Sequence, residues 1–413
     1  MTRPSPPPGL IPIPRQGIAG LPGILLCLLI ALAAAIPPIG LSSYVESGTY
    51  LPLAAVEGIA VAGLVLMGMY ILRTVRMAGG MFPLLLTVTI LLVFAFGSVI
   101  PAAILVSWLF VVSEGALLVA TADRRIGVML PLLPLAAVAL SIILCGRWQA
   151  GLLCLLPFPG AVTLALGTRS SAAREDGLTR VGVTCATTLA LGVTVTAVAA
   201  GILYARLGTL DPETLLAMLD ALRTSAIALL TDAAATAGGA LAELVTPTYA
   251  ADTVNSLFNL LPGYAVAALL IFTAVAQMIL LAALHANGYG NSITDRVRLY
   301  RISAVTGIVY LASYILMIVS LAGEESMATT VAHNLVIILQ PGLALGGLLH
   351  LVARLSARGP RSGCAPLILL IAPALLLIAP TVLAVFEGIV CASTPFRSLG
   401  TPPPDDTNAP PRS

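Results

Sequence analysis

Residues 81–121 read MFPLLLTVTILLVFAFGSVIPAAILVSWLFVVSEGALLVAT, an apolar stretch in which Glu114 is the only charged residue. A helix that crosses a bilayer needs about 20 mostly apolar residues, because about 30 Å of hydrocarbon is crossed at about 1.5 Å per residue. The stretch is therefore long enough for two crossings. Pro101, which has no amide hydrogen to donate, is the natural point of division, so we expect a tight hairpin of two membrane helices.

The composition of the whole chain extends this conclusion beyond the hairpin. Of its 413 residues, 59% are hydrophobic and 9% are charged, and the mean hydropathy is +1.04. A soluble domain carries about 25% charged residues, so this chain has too little charge to cover a water-exposed surface. The composition excludes a soluble enzyme, a nucleic-acid-binding protein and a disordered scaffold. It predicts an all-α, polytopic helical bundle that has the lipid bilayer as its solvent.

Eleven apolar runs are long enough to be membrane spans, and the count could be one lower or one higher. They are roughly residues 18–38, 51–72, 81–100, 101–121, 127–145, 150–168, 181–204, 263–285, 302–322, 328–352 and 365–390. With the N-terminus in the cytoplasm, the alternating loops place fifteen arginines inside and five outside. Because basic residues concentrate on the cytoplasmic side of membrane proteins, this count predicts a multi-pass protein of the bacterial inner-membrane type in that orientation.

The chain divides by composition into five parts. Proline-rich tails occupy residues 1–17 and 395–413, and the two transmembrane regions are 18–204, with about seven spans, and 263–394, with about four. The tails are too polar to form a packed core and are predicted to be flexible, the first of them in the cytoplasm. Residues 205–262 form the one large insertion between the two regions.

The insertion contains a recognisable helix start. Asp211-Pro212-Glu213 supplies an N-cap acceptor, a proline at the first helical position and an acid in the first turn. Leucines at helical spacing follow, so we expect an amphipathic helix, and then a short helix over 251–261 that ends at Pro262. Six acids and two arginines predict that residues 205–262 are extracytoplasmic. The segment either caps the outer surface of the bundle or forms a lid over an outward-facing pocket.

Polar side chains inside predicted spans are candidates for function, because an ionisable group at bilayer depth is costly unless it is paired or hydrated. The candidates for ligand binding are Glu57, Glu114, His333, Asn334 and Gln340. Glycine follows both Glu57 and Glu114, which would let a neighbouring helix approach the carboxylate closely. His285 and His350 lie near the inner ends of their predicted spans, and Glu387 lies near the outer end of the last one. For these three, snorkelling towards the interface is the favoured interpretation.

Gln340-Pro341-Gly342 lies near the middle of the span predicted over 328–352. Proline and glycine together weaken helical hydrogen bonding, and interrupted helices in transporters present backbone groups to a ligand at the midplane. The sequence therefore predicts a helix break at Pro341 and Gly342. Gly342 and Gly346 are also four residues apart, a spacing that is typical of closely packed membrane helices.

The sequence lacks several common catalytic and metal-binding motifs. It contains no HExxH, no P-loop, no GxSxG and no CxxC pair, and its three histidines are far apart. We therefore expect no catalytic residue, no metal site and no cofactor. Any energy coupling would come from an ion gradient or from a separate ATPase subunit.

The C-terminal third, about residues 260–398, resembles the YybS-like family of bacterial predicted membrane proteins. The residues that carry the resemblance are Tyr300-Arg301-Ile302-Ser303, Asn334, Gln340-Pro341-Gly342-Leu343-Ala344, Glu387-Gly388 and Phe396-Arg397. The family is distantly similar to the substrate-binding membrane subunits of energy-coupling-factor transporters. That similarity implies an outward-facing pocket and a separate ATPase partner. The resemblance also suits a cytoplasmic Arg397, whereas the eleven-span count ends outside the cell.

Three functions are compatible with these features. The leading hypothesis is a transport-related protein that binds an unknown small solute among its helices, with Glu57 as the source of negative charge for a cationic or proton-coupled solute. The alternative is a cell-envelope or division scaffold that acts through helix contacts and its outer segment. An intramembrane transferase with Glu114 or Glu57 as its base is the third, and no clustered nucleophile supports it.

Overall fold

The computed structural model describes residues 132–145, 148–172, 177–239, 245–286, 302–320, 326–356 and 378–400, together with Ile30, Ala34, Ala35, several positions between 108 and 119, and Leu375 and Leu376. These residues are α-helical apart from short connections and contain no strand, which confirms the expected all-α class for this part of the chain. The spans predicted over 51–72 and 81–100 lie outside the described residues, as do Glu57 and Glu114.

Nine helices follow one another in the described part of the chain. They are α1 (Leu132–Cys145), α2 (Trp148–Leu153), α3 (Pro157–Ala172), α4 (Gly177–Leu207), α5 (Pro212–Ala237), α6 (Pro247–Ala286), α7 (Ala304–Ser320), α8 (Met327–Ser356) and α9 (Pro380–Gly400). Five stretches of the described chain are long and apolar enough to cross a membrane: Gly151–Arg169, which includes the turn between α2 and α3, Val181–Leu207, Pro212–Thr236, Pro247–Leu281 and Met327–Leu351. Shorter apolar helices cover Ala304–Val319 and Pro380–Ser393.

The chain packs as two compact units. The first comprises residues 1–233 and 268–296, and its described core joins residues of α3, α4 and α6 to Val112 and Ala116. The second comprises residues 234–267 and 297–413, and its core lies between α7, α8 and α9 around the fully buried Tyr310. The three ligand-site candidates that the structure describes, His333, Asn334 and Gln340, all lie in this second unit.

The predicted helix start at Asp211 is confirmed, because α5 begins at Pro212. Asp211 Oδ2 accepts hydrogen bonds from the backbone N–H of Thr214 (3.0 Å) and from its hydroxyl (2.8 Å), and the Thr209 hydroxyl also donates to the Asp211 carboxylate. The bond from Thr209, followed by those from Thr214, lowers the pKa of Asp211 from 3.8 to about 2. Gly208 ends α4 with a φ of 73°, a left-handed conformation that favours glycine.

Two helices continue through prolines at which the sequence predicts an end or a break. α6 runs through Pro262 to Ala286, so the expected short helix over 251–261 is part of a 40-residue helix. α8 runs through Pro341 and Gly342 without interruption, so the predicted break is absent from the structure. A single proline removes one hydrogen bond, and neighbouring helices in a packed bundle hold the remaining turns in place.

The last helix also differs from the prediction. Residues 365–390 were expected to form one span antiparallel to α8, whereas α9 begins at Pro380, after a helical turn that closes with a bond from Ala379 N to Leu375 O (2.9 Å). Contacts between α8 and α9 advance in the same direction along both helices: Gln340 with Thr381, Gly347 with Leu383, and His350 with Glu387. The two helices are therefore parallel.

Candidate functional site

Asn334 bridges α8 to the proline turn of α6. Its side-chain oxygen accepts a hydrogen bond from the backbone N–H of Gly263 (2.6 Å), and its amide nitrogen donates to the carbonyl of Asn259 (3.0 Å). In a regular helix these two backbone groups would bond to each other, and here they flank Pro262, which has no N–H. The amide nitrogen also donates to Thr330 O (2.9 Å). Asn334 thus connects α8 to α6 through its oxygen and its amide nitrogen, and the same nitrogen also bonds within α8.

Gln340, the second amide proposed for ligand binding, also bonds within the protein. Its Nε2 donates to the hydroxyl of Thr381 on α9 at 3.0 Å. His333, one residue before Asn334, is half-buried. The three candidates on α8 therefore do not converge on one ligand, because two of them are occupied by α6 and α9.

The parallel course of α8 and α9 brings together two residues that the sequence analysis placed at opposite membrane faces. His350 Nδ1 lies 3.5 Å from Glu387 Oε2. The His350 ring also meets the ring of Phe386 edge-on, with centroids 6.2 Å apart. Interfacial snorkelling of Glu387, the favoured interpretation above, is wrong for this residue, because it is 6% exposed and packs inside the second unit.

The surroundings of the Glu387 carboxylate are sparse in hydrogen-bond donors. Oε2 is buried and has no hydrogen-bond partner among the described residues. The thiol of Cys391, one turn further along α9, donates to Oε1 at 3.5 Å, and a thiol is a weak donor. A buried carboxylate normally accepts several strong hydrogen bonds. Glu387 therefore has an oxygen that is available to a proton or to a positively charged ligand.

Glycines allow the backbones around this pair to approach closely. A Cβ added to Gly347 on α8 would lie 2.4 Å from the carbonyl oxygen of Leu383, and one added to Gly346 would lie 3.2 Å from Glu387 Cγ. On the other side of α9, a Cβ at Gly307 of α7 would lie 2.8 Å from Gly388 O. Glu387 thus lies against α8, and the next residue, Gly388, lies against α7, at points where those two helices carry only glycine.

Another polar cluster, which the sequence analysis missed, connects α4 and α6 in the first unit. The Thr184 hydroxyl bonds to Gln277 Oε1 at 2.5 Å, and the Thr188 and Thr273 hydroxyls are 2.7 Å apart. Both helices carry their polar pair at a spacing of four residues, which puts each pair on one helix face. That matched spacing in the spans predicted over 181–204 and 263–285 was the available signal. Such bonds are typical of close packing between membrane helices.

The described residues do not bring the predicted site residues together. The structure connects Asn334 to α6 and Gln340 to α9, while Glu57 and Glu114 lie outside its described residues. Within those residues no group of three or more His, Cys, Asp and Glu side chains has the geometry of a metal site. The most distinctive titratable group is the Glu387–His350 pair, of which the sequence analysis had proposed neither member.

Comparison of the chain with protein-family models, with curated proteins and with solved structures finds no match. The class of protein therefore follows from the molecule itself: the chain is all-helical where it is described, and it has several helices that are long and apolar enough for a membrane.

Proposed function

We propose that this chain is a multi-pass membrane protein that binds and transports a small cationic solute, with Glu387 as the negative group that the solute recognises. The observation that carries the proposal is the buried Oε2 of Glu387, which has no hydrogen-bond partner among the described residues. Placing a charged carboxylate inside a membrane bundle costs several kcal/mol of free energy. Acidic residues at such positions therefore usually belong to the path of a substrate or an ion. A cation at Oε2 would offset that cost.

The helix directions support a topology in which α5 does not cross the bilayer. Thr184 and Thr188 of α4 pair with Gln277 and Thr273 of α6 in reverse order, so these helices are antiparallel. A chain that leaves α4 and enters α6 on the same side makes no net crossing between them. The insertion, 205–262, would then be extracytoplasmic, as its acidic composition predicts, although α5 is long enough to span.

The same reasoning supports a cytoplasmic C-terminus. α7 and α8 are antiparallel, because Ile302 lies against Gly346, and α9 is parallel to α8. α9 therefore ends on the side of the membrane where α8 ends. In the sequence, Arg354, Arg358 and Arg361 lie at the end of α8 and just after it. This assignment moves Arg397 and Arg412 inside, which leaves three arginines outside and strengthens the positive-inside bias. It also agrees with the resemblance to the YybS-like family.

Cysteine labelling tests the topology. In a background without the native cysteines, Thr236→Cys should react with a membrane-impermeant thiol reagent in intact cells, and Ser413→Cys should react only after lysis. Labelling of both positions in intact cells would contradict the parallel arrangement of α8 and α9 with respect to the membrane. Labelling of Thr236→Cys only after lysis would contradict the proposed position of the insertion.

Solute binding is tested by untargeted mass spectrometry of the small molecules that are released from the purified protein. Glu387→Gln keeps the shape of the side chain and removes its charge, and Glu213→Gln, at an exposed position of α5, is the matched control. We expect a cationic compound from the wild type and the control, and about tenfold less of it from Glu387→Gln. Equal amounts from all three proteins would refute the role of Glu387. No compound from a folded wild type would favour the scaffold hypothesis, and copurification of an ATPase subunit would identify the energy source.

A further inference from the structure

We infer that Glu387 and His350 together form a proton-binding site at the cytoplasmic end of the second unit, which makes the proton the coupling ion of the proposed transporter. The inference rests on the proposed function for its purpose, but proton binding itself requires no solute. It starts from the distance of 3.5 Å between Glu387 Oε2 and His350 Nδ1. A movement of well under 1 Å would bring these atoms to hydrogen-bond distance.

The pair becomes neutral when it binds one proton. With a proton on Nδ1, the imidazolium donates to the carboxylate, and with the proton on Oε2 the neutral acid donates to the imidazole. Either arrangement gives the Oε2 atom a partner and leaves the pair with no net charge. Without the proton, a single negative charge remains in apolar packing, which is costly unless a solute cation replaces the proton. The two ligands therefore compete for one carboxylate.

Access to the site is from the side on which α8 ends. Glu387 is buried, whereas the His350 side chain is 36% exposed and occupies the last turn of the apolar part of α8, four residues before Arg354. Uptake transfers one proton from water to the pair, and release returns it to water, so no electron moves and no other bond changes. His350 is thus the group through which the proton reaches Glu387.

The other titratable groups near the pair are neutral ones. On α9, the Cys391 thiol donates to Oε1, and on α7, Tyr310 packs against Gly388, the residue after Glu387. The Tyr310 hydroxyl is buried and has no hydrogen-bond partner among the described residues. Neither group carries a charge at neutral pH. Among the described residues packed here, the charge of the site is therefore set by Glu387 and His350.

NMR spectroscopy of the histidine side chains tests the inference at His350 alone. Histidine occurs three times in the chain, so isotope labelling of histidine gives NMR spectra in which His350→Gln identifies the His350 signal and His285 and His333 serve as internal controls. We expect the ring-nitrogen signals of His350 to report a shared proton in the wild type and a lone imidazole in Glu387→Gln, because that variant removes the carboxylate 3.5 Å away. Glu213→Gln should give the wild-type signals.

Unchanged His350 signals in folded Glu387→Gln would overturn the inference. If that variant does not fold, infrared spectroscopy of His350→Gln decides instead. Loss of the imidazole should change the carboxyl bands of Glu387, because the carboxyl group then has no partner with which to share a proton. Identical bands in both proteins would contradict proton sharing. These measurements use solute-free protein, so they separate failure of the proton site from failure of the proposed transport.

Discussion

Gly347→Ala tests the backbone contact that brings α8 and α9 together. A Cβ at this position would lie 2.4 Å from Leu383 O and 3.1 Å from its carbonyl carbon, where ordinary van der Waals contact begins at 3.4 Å. The helices would have to separate by about 1 Å. Because the obstacle is backbone rather than the end of a flexible side chain, we expect the upper part of the usual overpacking range, about 3 kcal/mol.

Replacing a glycine inside a helix has an opposing effect, because alanine has less conformational freedom to lose and stabilises the helix by about 0.5–1 kcal/mol. The net loss for Gly347→Ala is then about 2 kcal/mol. Gly192→Ala on α4 is the matched control, since its nearest atom would be Leu269 Cδ1 at 3.9 Å. That control should be stabilised by the helix effect alone. Gly346→Ala should fall between the two, because Ile302 Cδ1 at 3.0 Å and Glu387 Cγ at 3.2 Å belong to flexible side chains.

Reversible unfolding of the purified protein in mixed micelles, followed by circular dichroism, gives the three free energies of unfolding. The order Gly192→Ala, Gly346→Ala, Gly347→Ala, from most to least stable, is the expected result. If Gly347→Ala is as stable as Gly192→Ala, then α8 and α9 do not approach at this distance. In that case the pairing of Glu387 with His350, which depends on the same approach, would also lose its structural basis.

Three further predictions follow from individual hydrogen bonds. Asn334→Ala should lower the free energy of unfolding by about 1–3 kcal/mol, because it leaves backbone groups beside a proline turn without partners; an unchanged value would show that the α6 helix closes these bonds itself. A double-mutant cycle of Thr188→Val and Thr273→Val should give a coupling energy of about 0.6 kcal/mol, the average for hydrogen bonds between membrane helices, and additive single effects would argue against the bond. Asp211→Ala should accelerate amide hydrogen exchange in the first turn of α5 at pH 6, and the difference from the wild type should shrink as the pH falls from about 4 through about 2, because the pKa of Asp211 is lowered from 3.8 to about 2 and the carboxylate becomes protonated there. A difference of the same size at pH 6 and below pH 2 would contradict a role for the charge.

Features that depend only on neighbouring residues, such as the start of α5, could be predicted from the sequence. Asp211-Pro212-Glu213 starts a helix in the structure, because capping depends only on neighbouring residues. The helix end expected at Pro262 and the break expected at Pro341 were wrong for a related reason. A proline weakens its own turn, but whether the helix continues depends on what packs against that turn, and at Pro262 it is Asn334, 72 residues away.

The site was harder to predict than the fold class. Asn334 and Gln340 stood out as polar residues in an apolar span, but a sequence does not show whether an amide faces a cavity or a neighbouring helix. Glu387 and His350 were assigned to opposite faces because the last span was taken to be antiparallel to the one before it. That assumption concerned the path of the chain after α8, which hydropathy does not report.

The sequence by itself determined that the chain is helical and suited to a membrane, because 59% hydrophobic residues and 9% charged residues are properties of composition and of apolar run length. It also indicated the basic side of the bilayer through the distribution of its arginines. Tertiary structure alone decided that α9 runs parallel to α8 and that Glu387 meets His350. The physical reason is that helix direction and pairing arise from close backbone contacts, here those that Gly347 of α8 and Gly307 of α7 make with α9. Such contacts join residues that are far apart in the sequence, so the sequence order does not reveal them.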